Sequence, residues 1–147
     1  MIWQSLFALA LASVTVVLHA VGTANVVIPA AGVWSPSRES QQLPRPIWTL
    51  IRVVSMLLVL HLMEMAIWAA AFDLAGLFPD FETCLYYSLK SYTTVGYGDV
   101  LPEISWRLIG PIEAAVGVLM LGWSTSIIVA TVQRIYGSGR TGPTSQS

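Results

Sequence analysis

Three apolar runs, at residues 2–28, 47–72 and 107–136, constrain this chain more than any other feature. Few polar residues interrupt them, and about 20 apolar residues in a helix cross the hydrocarbon core of a bilayer. Composition agrees: 10% of the 147 residues are charged, against about 25% in soluble domains. The expected fold class is an all-α membrane protein with three transmembrane helices. The first run competes with a cleaved leader, which needs a basic start and a shorter apolar core. No Lys or Arg precedes Arg38, so a retained helix over residues 1–29 is expected. Residues 30–46 carry Pro36, Pro44, Pro46, serines and glutamines. They read as a linker, because proline breaks helix and sheet pairing. Residues 137–147, rich in Gly, Ser and Thr, read as a disordered tail.

Between the second and third runs the pattern changes. Gly76 and Pro79 mark a turn, and Asp80 is placed to cap a helix starting at Phe81, with Glu82 in its first turn. Residues 81–92 are too few to span a bilayer, so a re-entrant helix is expected. It leads into Thr93-Thr94-Val95-Gly96-Tyr97-Gly98-Asp99. Backbone that is neither helix nor sheet survives at membrane depth only where it is buried in protein or lines a water-filled path. Glycine at alternate positions lets φ change sign, so successive carbonyls can face one axis. Rings of such carbonyls can replace the hydration shell of an ion.

This stretch resembles the selectivity filter of potassium channels, matching the TVGYG motif residue for residue, with the usual trailing aspartate. Residues 47–136 resemble the outer helix, pore helix, filter and inner helix of bacterial two-transmembrane channels, here with an additional N-terminal helix. The resemblance implies K+ coordination by the carbonyls of Thr94, Val95, Gly96, Tyr97 and Gly98, with the Thr94 hydroxyl completing the innermost site. It implies a homotetramer in the lipid bilayer, since one chain supplies one filter strand. K+ is the permeant ion, and no cofactor is expected. Thr93, Asp99, Lys90, Tyr86 and Tyr87 would support the filter. Lys90 stands where the family carries a glutamate or an aliphatic residue. It either pairs with Asp99 and braces the filter or extends to the outer water. Tyr86 and Tyr87 take positions often held by tryptophan and would form a cuff around Tyr97.

In the third run, the resemblance puts Gly117 on the inner-helix hinge, Gly122 on the next close-packed glycine and Thr125 on a pore-lining position. The narrowest point would lie near Thr125, Val129 or Gln133. Glycine in a membrane helix also serves close packing alone. Glu113, an intramembrane carboxylate, is a functional candidate. It could pair with Lys90, accept hydrogen bonds from the pore helix or sense protons.

Other polar residues carry blander expectations. His61 and Glu64, three apart, share a helical face. Two residues fall short of a metal-ligand set, so a packed polar contact with another helix is expected, and likewise for His19. Cys84 is expected to be a packing residue. No run carries the repeated arginines of a voltage sensor, and a net charge of −1 gives no footing for nucleic acid. Enzymatic activity has no nucleophile–base pair to rest on. Arg38, Arg45, Arg52, Arg134 and Arg140 fall on one side and most acidic residues on the other. The positive-inside rule then puts linker and C-terminus in the cytoplasm, and the N-terminus and filter mouth outside a cell membrane.

Overall fold

The computed structural model describes residues 2–27, 29 and 46–137. The expected linker, with Arg38 and Arg45, and the expected tail beyond Gly137 lie outside them. The described chain comprises α1 (Ile2–Gly22) continued by a π-helical turn (Thr23–Val27), α2 (Pro46–Leu74), α3 (Phe81–Tyr92), a 3-10 turn (Ile104–Trp106) and α4 (Ile109–Gly137). No strand occurs among the described residues. Three segments, Trp3–Asn25, Ile47–Leu74 and Ile104–Tyr136, are long and apolar enough to cross a membrane. The protein is thus all-α, with the short α3 between its second and third spans.

Side-chain pairs give the helix directions. Trp68 Nε1 donates to Thr15 Oγ1 at 2.8 Å, His19 meets Glu64, and a Cβ on Gly22 would come within 2.8 Å of Leu60 Cδ1. Positions rise along α1 as they fall along α2, so these helices are antiparallel. Phe7 packs edge-on against Trp106, while Val27 clusters with Ile127, so α1 and α4 run the same way. The main core gathers Ala8, Trp68, Phe72, Cys84, Tyr87 and Ile109. Cys84 packs there as a small apolar group. Leu58, Val59, Leu62 and Met63 of α2 stay exposed. In water such a face would drive association; in a bilayer it meets lipid.

Candidate ion-conduction site

Asp80 caps α3 by accepting from the Thr83 backbone N–H at 2.7 Å, and the Thr83 hydroxyl adds a bond at 3.1 Å. α4 then fixes the direction of α3. Tyr87 lies against Gly110, Ser88 against Glu113 and Tyr92 against Gly117. Both numbers rise together, so α3 lies beside α4 and points the same way. Its C-terminus carries about half an elementary negative charge and is directed into the middle of the bundle.

The chain leaves α3 through tied-back amides. The N–H groups of Thr93, Thr94 and Gly96 donate to the carbonyls of Leu89, Ser91 and Lys90, and the Thr93 hydroxyl donates to Leu89 O at 2.6 Å. These are carbonyls that a helix end leaves without partners. Beyond them φ is positive at every second residue: 62° at Thr94, 53° at Gly96 and 77° at Gly98. Val95 and Tyr97 between them are not in that region. Alternation of this kind turns successive peptide planes the same way, which is what a row of aligned carbonyls requires. Thr94 is the informative member. A β-branched residue in the left-handed region is an outlier whose strain is about 1–3 kcal/mol, a form of strain that clusters at ligand clamps. The stretch from Thr93 to Asp99 is exposed in the single chain, with Tyr97 74% accessible.

Behind the filter, Lys90 Nζ donates to Asp99 Oδ1 at 2.6 Å and to Val100 O at 2.7 Å, while Tyr86 donates to Asp99 Oδ2 at 2.5 Å. Lys90 is buried and does not extend to the outer water. Tyr87 packs its ring on Phe72 and Phe78, while lining with Lys90, Thr94, Gly96 and Gly98 the cavity between filter and α4. Within the chain, therefore, Tyr86 bonds to Asp99 at the end of the Thr94–Gly98 strand, and Tyr87 fills the space behind that strand.

Hydrogen bonds from Lys90, then Tyr86, hold the Asp99 carboxyl at about 2, below the usual carboxylate range. A depressed carboxyl contributes its full stability above its ordinary pKa and loses it progressively as pH falls from there through about 2, while the contact itself keeps its charge down to that value. The Lys90–Asp99 contact is therefore expected to persist at about pH 4, where an ordinary aspartate is half protonated. Lys90→Met removes both hydrogen bonds that Nζ makes. If this strand conducts potassium, the variant is expected to keep its helices but to inactivate faster and discriminate less between potassium and sodium; unchanged flux ratios and open lifetimes would count against a bracing role.

Glu113 is fully buried and does not meet Lys90. Ser88 on α3 lies 2.5 Å from Glu113 Oε1 and 2.8 Å from the Met65 carbonyl, and Glu113 Oε2 has no partner. Of the two expected partners, Lys90 and the helix over residues 81–92, the structure gives it the latter. One hydroxyl proton cannot serve both acceptors. The amide of Glu113→Gln can donate to Ser88, freeing Ser88 for Met65. That variant is expected to melt at or above the parent temperature; a lower melting temperature would show that the carboxylate itself stabilises the contact between α3 and α4.

On α4, Gly117 is buried, and a Cβ there would strike the Tyr92 carbonyl; Gly122 has nothing within 4 Å of such an atom. The helix runs unbroken through both. Gly117 thus serves close approach to α3, and Gly122 is not close-packed within its own chain. Gly122, Thr125, Val129 and Gln133 are all exposed at spacings of three and four, along one flank of α4. Thr125 satisfies its hydroxyl on Leu121 O at 2.8 Å.

His19, Tyr92 and Ser124 were not legible as partners of His61 and Glu64. The Glu64 carboxylate accepts from Tyr92 and lies 2.8 Å from His19 Nδ1 and 3.2 Å from His61 Nδ1. The polar residues that interrupt each apolar run were the available signal.

Residues 56–134 match the family model described as "Ion channel". The chain belongs to the ion channel family. The family is one of ion channels, and three long apolar helices make the chain a multi-pass membrane protein. Among curated proteins it is similar to "Potassium voltage-gated channel protein Shal" of Drosophila melanogaster, 33% identical over 60 residues, which is 40% of this chain and 10% of that one. "Potassium voltage-gated channel subfamily A member 6" of Mus musculus is 32% identical over 69 residues, 46% of this chain and 13% of that one. "A-type voltage-gated potassium channel KCND3" of Homo sapiens is 33% identical over 63 residues, 42% of this channel and 10% of that one. This channel thus spans at most 13% of the length of these relatives. No solved structure matches it.

Proposed function

We propose that four copies of this chain assemble around a common axis into a potassium-selective channel that conducts passively. The carbonyls of Thr94, Val95, Gly96, Tyr97 and Gly98 replace the water around a potassium ion as it enters, and the Thr94 hydroxyl completes the innermost position. Lys90, Asp99, Tyr86, Tyr87 and Thr93 hold that strand in place. The observation that carries the reading is the alternation of positive φ at Thr94, Gly96 and Gly98 on a strand whose amides are tied back to α3. Potassium channels among the relatives support it. The pore lies where the exposed filter strands of four chains meet. The exposed flank of α4 with Thr125, Val129 and Gln133 lines its inner half, where gating acts. The N-terminus and filter mouth face outside a cell membrane and the C-terminus faces the cytoplasm.

The test is potassium flux into liposomes reconstituted with the purified protein, with sodium as competitor and barium as blocker. Barium-sensitive potassium flux with little sodium flux is expected. Equal sodium and potassium flux would overturn the selectivity, and a chain that stays monomeric in bilayers would overturn the assembly.

A further inference from the structure

Four of the five polar side chains buried together near the centre of the bundle come from three different helices around one carboxylate. His19 belongs to α1, His61 and Glu64 to α2, and Tyr92 ends α3; Ser124 of α4 completes the cluster. One ligand atom from each of His19, His61 and Glu64 lies within 4.8 Å of the others.

Ser124 sets how the two imidazoles present themselves. Its Oγ is 2.9 Å from His61 Nε2 and 3.4 Å from His19 Nε2. With these outer nitrogens directed at the serine oxygen, both rings turn Nδ1 towards Glu64, at 2.8 Å for His19 and 3.2 Å for His61. Holding a ligating histidine by its other nitrogen is how metal sites fix tautomer and ring orientation. Each Nδ1 can meet the carboxylate in two ways, by donating a proton to it or by sharing with it a cation bound between them. A carboxylate at membrane depth is also expensive without a counter-charge.

We propose that His19, His61 and Glu64 bind a divalent transition metal in tetrahedral geometry, with zinc the best match. Two histidines and one glutamate leaving a fourth position open is a known zinc ligand set. Bonds of about 2.0–2.1 Å put tetrahedral ligand atoms about 3.3 Å apart, so the 2.8 Å and 3.2 Å contacts to Glu64 must open slightly and any wider separation, none above 4.8 Å, must close towards that value. Calcium and magnesium prefer all-oxygen ligands, and imidazole favours zinc over them. The Tyr92 hydroxyl, 2.9 Å from His61 Nδ1, flanks the fourth position. An ion here ties the additional helix α1 to the residue that immediately precedes the filter. His19 and Glu64 side chains are fully buried and His61 is 8% accessible, so loading is slow and belongs to the period of assembly.

The experiment compares full-length protein expressed with added zinc, in detergent micelles, before and after prolonged chelation, by elemental analysis. Cobalt(II) is then introduced in place of zinc and read by visible absorption. One zinc per chain and the intense bands of tetrahedral cobalt are expected. Ser124→Ala, which releases both imidazoles, should weaken affinity about 10–100-fold, and His19→Gln should remove stoichiometric binding. Glu103→Gln, outside the cluster, should leave it unchanged. The wild-type cobalt spectrum needs no variant to fold and decides the matter first. A folded wild-type chain without saturable zinc, a cobalt spectrum of octahedral type, or full binding by folded His19→Gln would each overturn the proposal and leave the cluster as a hydrogen-bonded network only.

Discussion

Gly117→Ala is expected to destabilise the fold and stop potassium flux together, because the obstruction its methyl group meets is backbone. A Cβ on Gly117 would collide with the Tyr92 carbonyl oxygen and sit 2.9 Å from its carbon. At Gly22 the obstruction is the tip of Leu60, which can rotate away; at Gly117 either α4 or the end of α3 must move. Overpacking of this kind costs about 1–3 kcal/mol, and a fixed peptide group puts this site at the upper end. The displaced residue immediately precedes Thr93 and Thr94, so the shift passes directly into the filter. Thermal unfolding in detergent and flux in liposomes measure the two consequences. Gly122→Ala, where no atom of the chain obstructs a methyl group, serves as the comparison for thermal unfolding. A Gly117→Ala protein with parental melting and flux would show that α4 and α3 are not in such close contact in the working channel.

Gly96→Ala should spare the fold and remove conduction. Space is not the obstacle, since the closest atom to the added Cβ is Thr94 O at 3.9 Å. The obstacle is φ of 53°, where an L side chain costs about 1–2 kcal/mol. In the proposed tetramer four chains carry that cost, about 4–8 kcal/mol in all, and each 1.4 kcal/mol is tenfold in population. Potassium flux is therefore expected to fall by roughly a thousandfold or more, while circular dichroism keeps its helical signal. Gly76→Ala is the control. Gly76 has the same sign of φ, at 65°, with nothing near its Cβ, but it lies in the turn after α2 and outside the filter. Equal loss of flux in both variants would mean that general destabilisation, not filter geometry, is being measured.

The additional helix meets these sites through one cluster of side chains. Tyr92 supplies both the carbonyl that Gly117 accommodates and the hydroxyl that meets Glu64. Helix α1 enters that cluster through His19.

Much of this architecture was readable from local chemistry. The three spans follow from apolar length alone, because a bilayer demands about 20 residues whatever they pack against. Residues 81–92 were legible as a helix because Asp80 can cap only the helix that starts beside it. The filter's alternation was legible because a row of aligned carbonyls calls for φ above zero at every second residue, and glycine supplies it at Gly96 and Gly98. The third such residue, Thr94, follows from its place in the strand and not from its own preference. Tertiary structure decided the rest. That Lys90 meets Asp99 and not Glu113, that Glu64 meets a histidine 45 residues away, and that Gly117 is tight while Gly122 is open all depend on which helix faces are turned together. In a soluble helix an apolar stripe would announce the buried face. Here lipid is as apolar as a neighbouring helix, packing gains nothing from hydrophobicity alone, and the spans are apolar all round. Their rotation and register are therefore written in close contacts and a few polar pairs, which exist only once the helices have met.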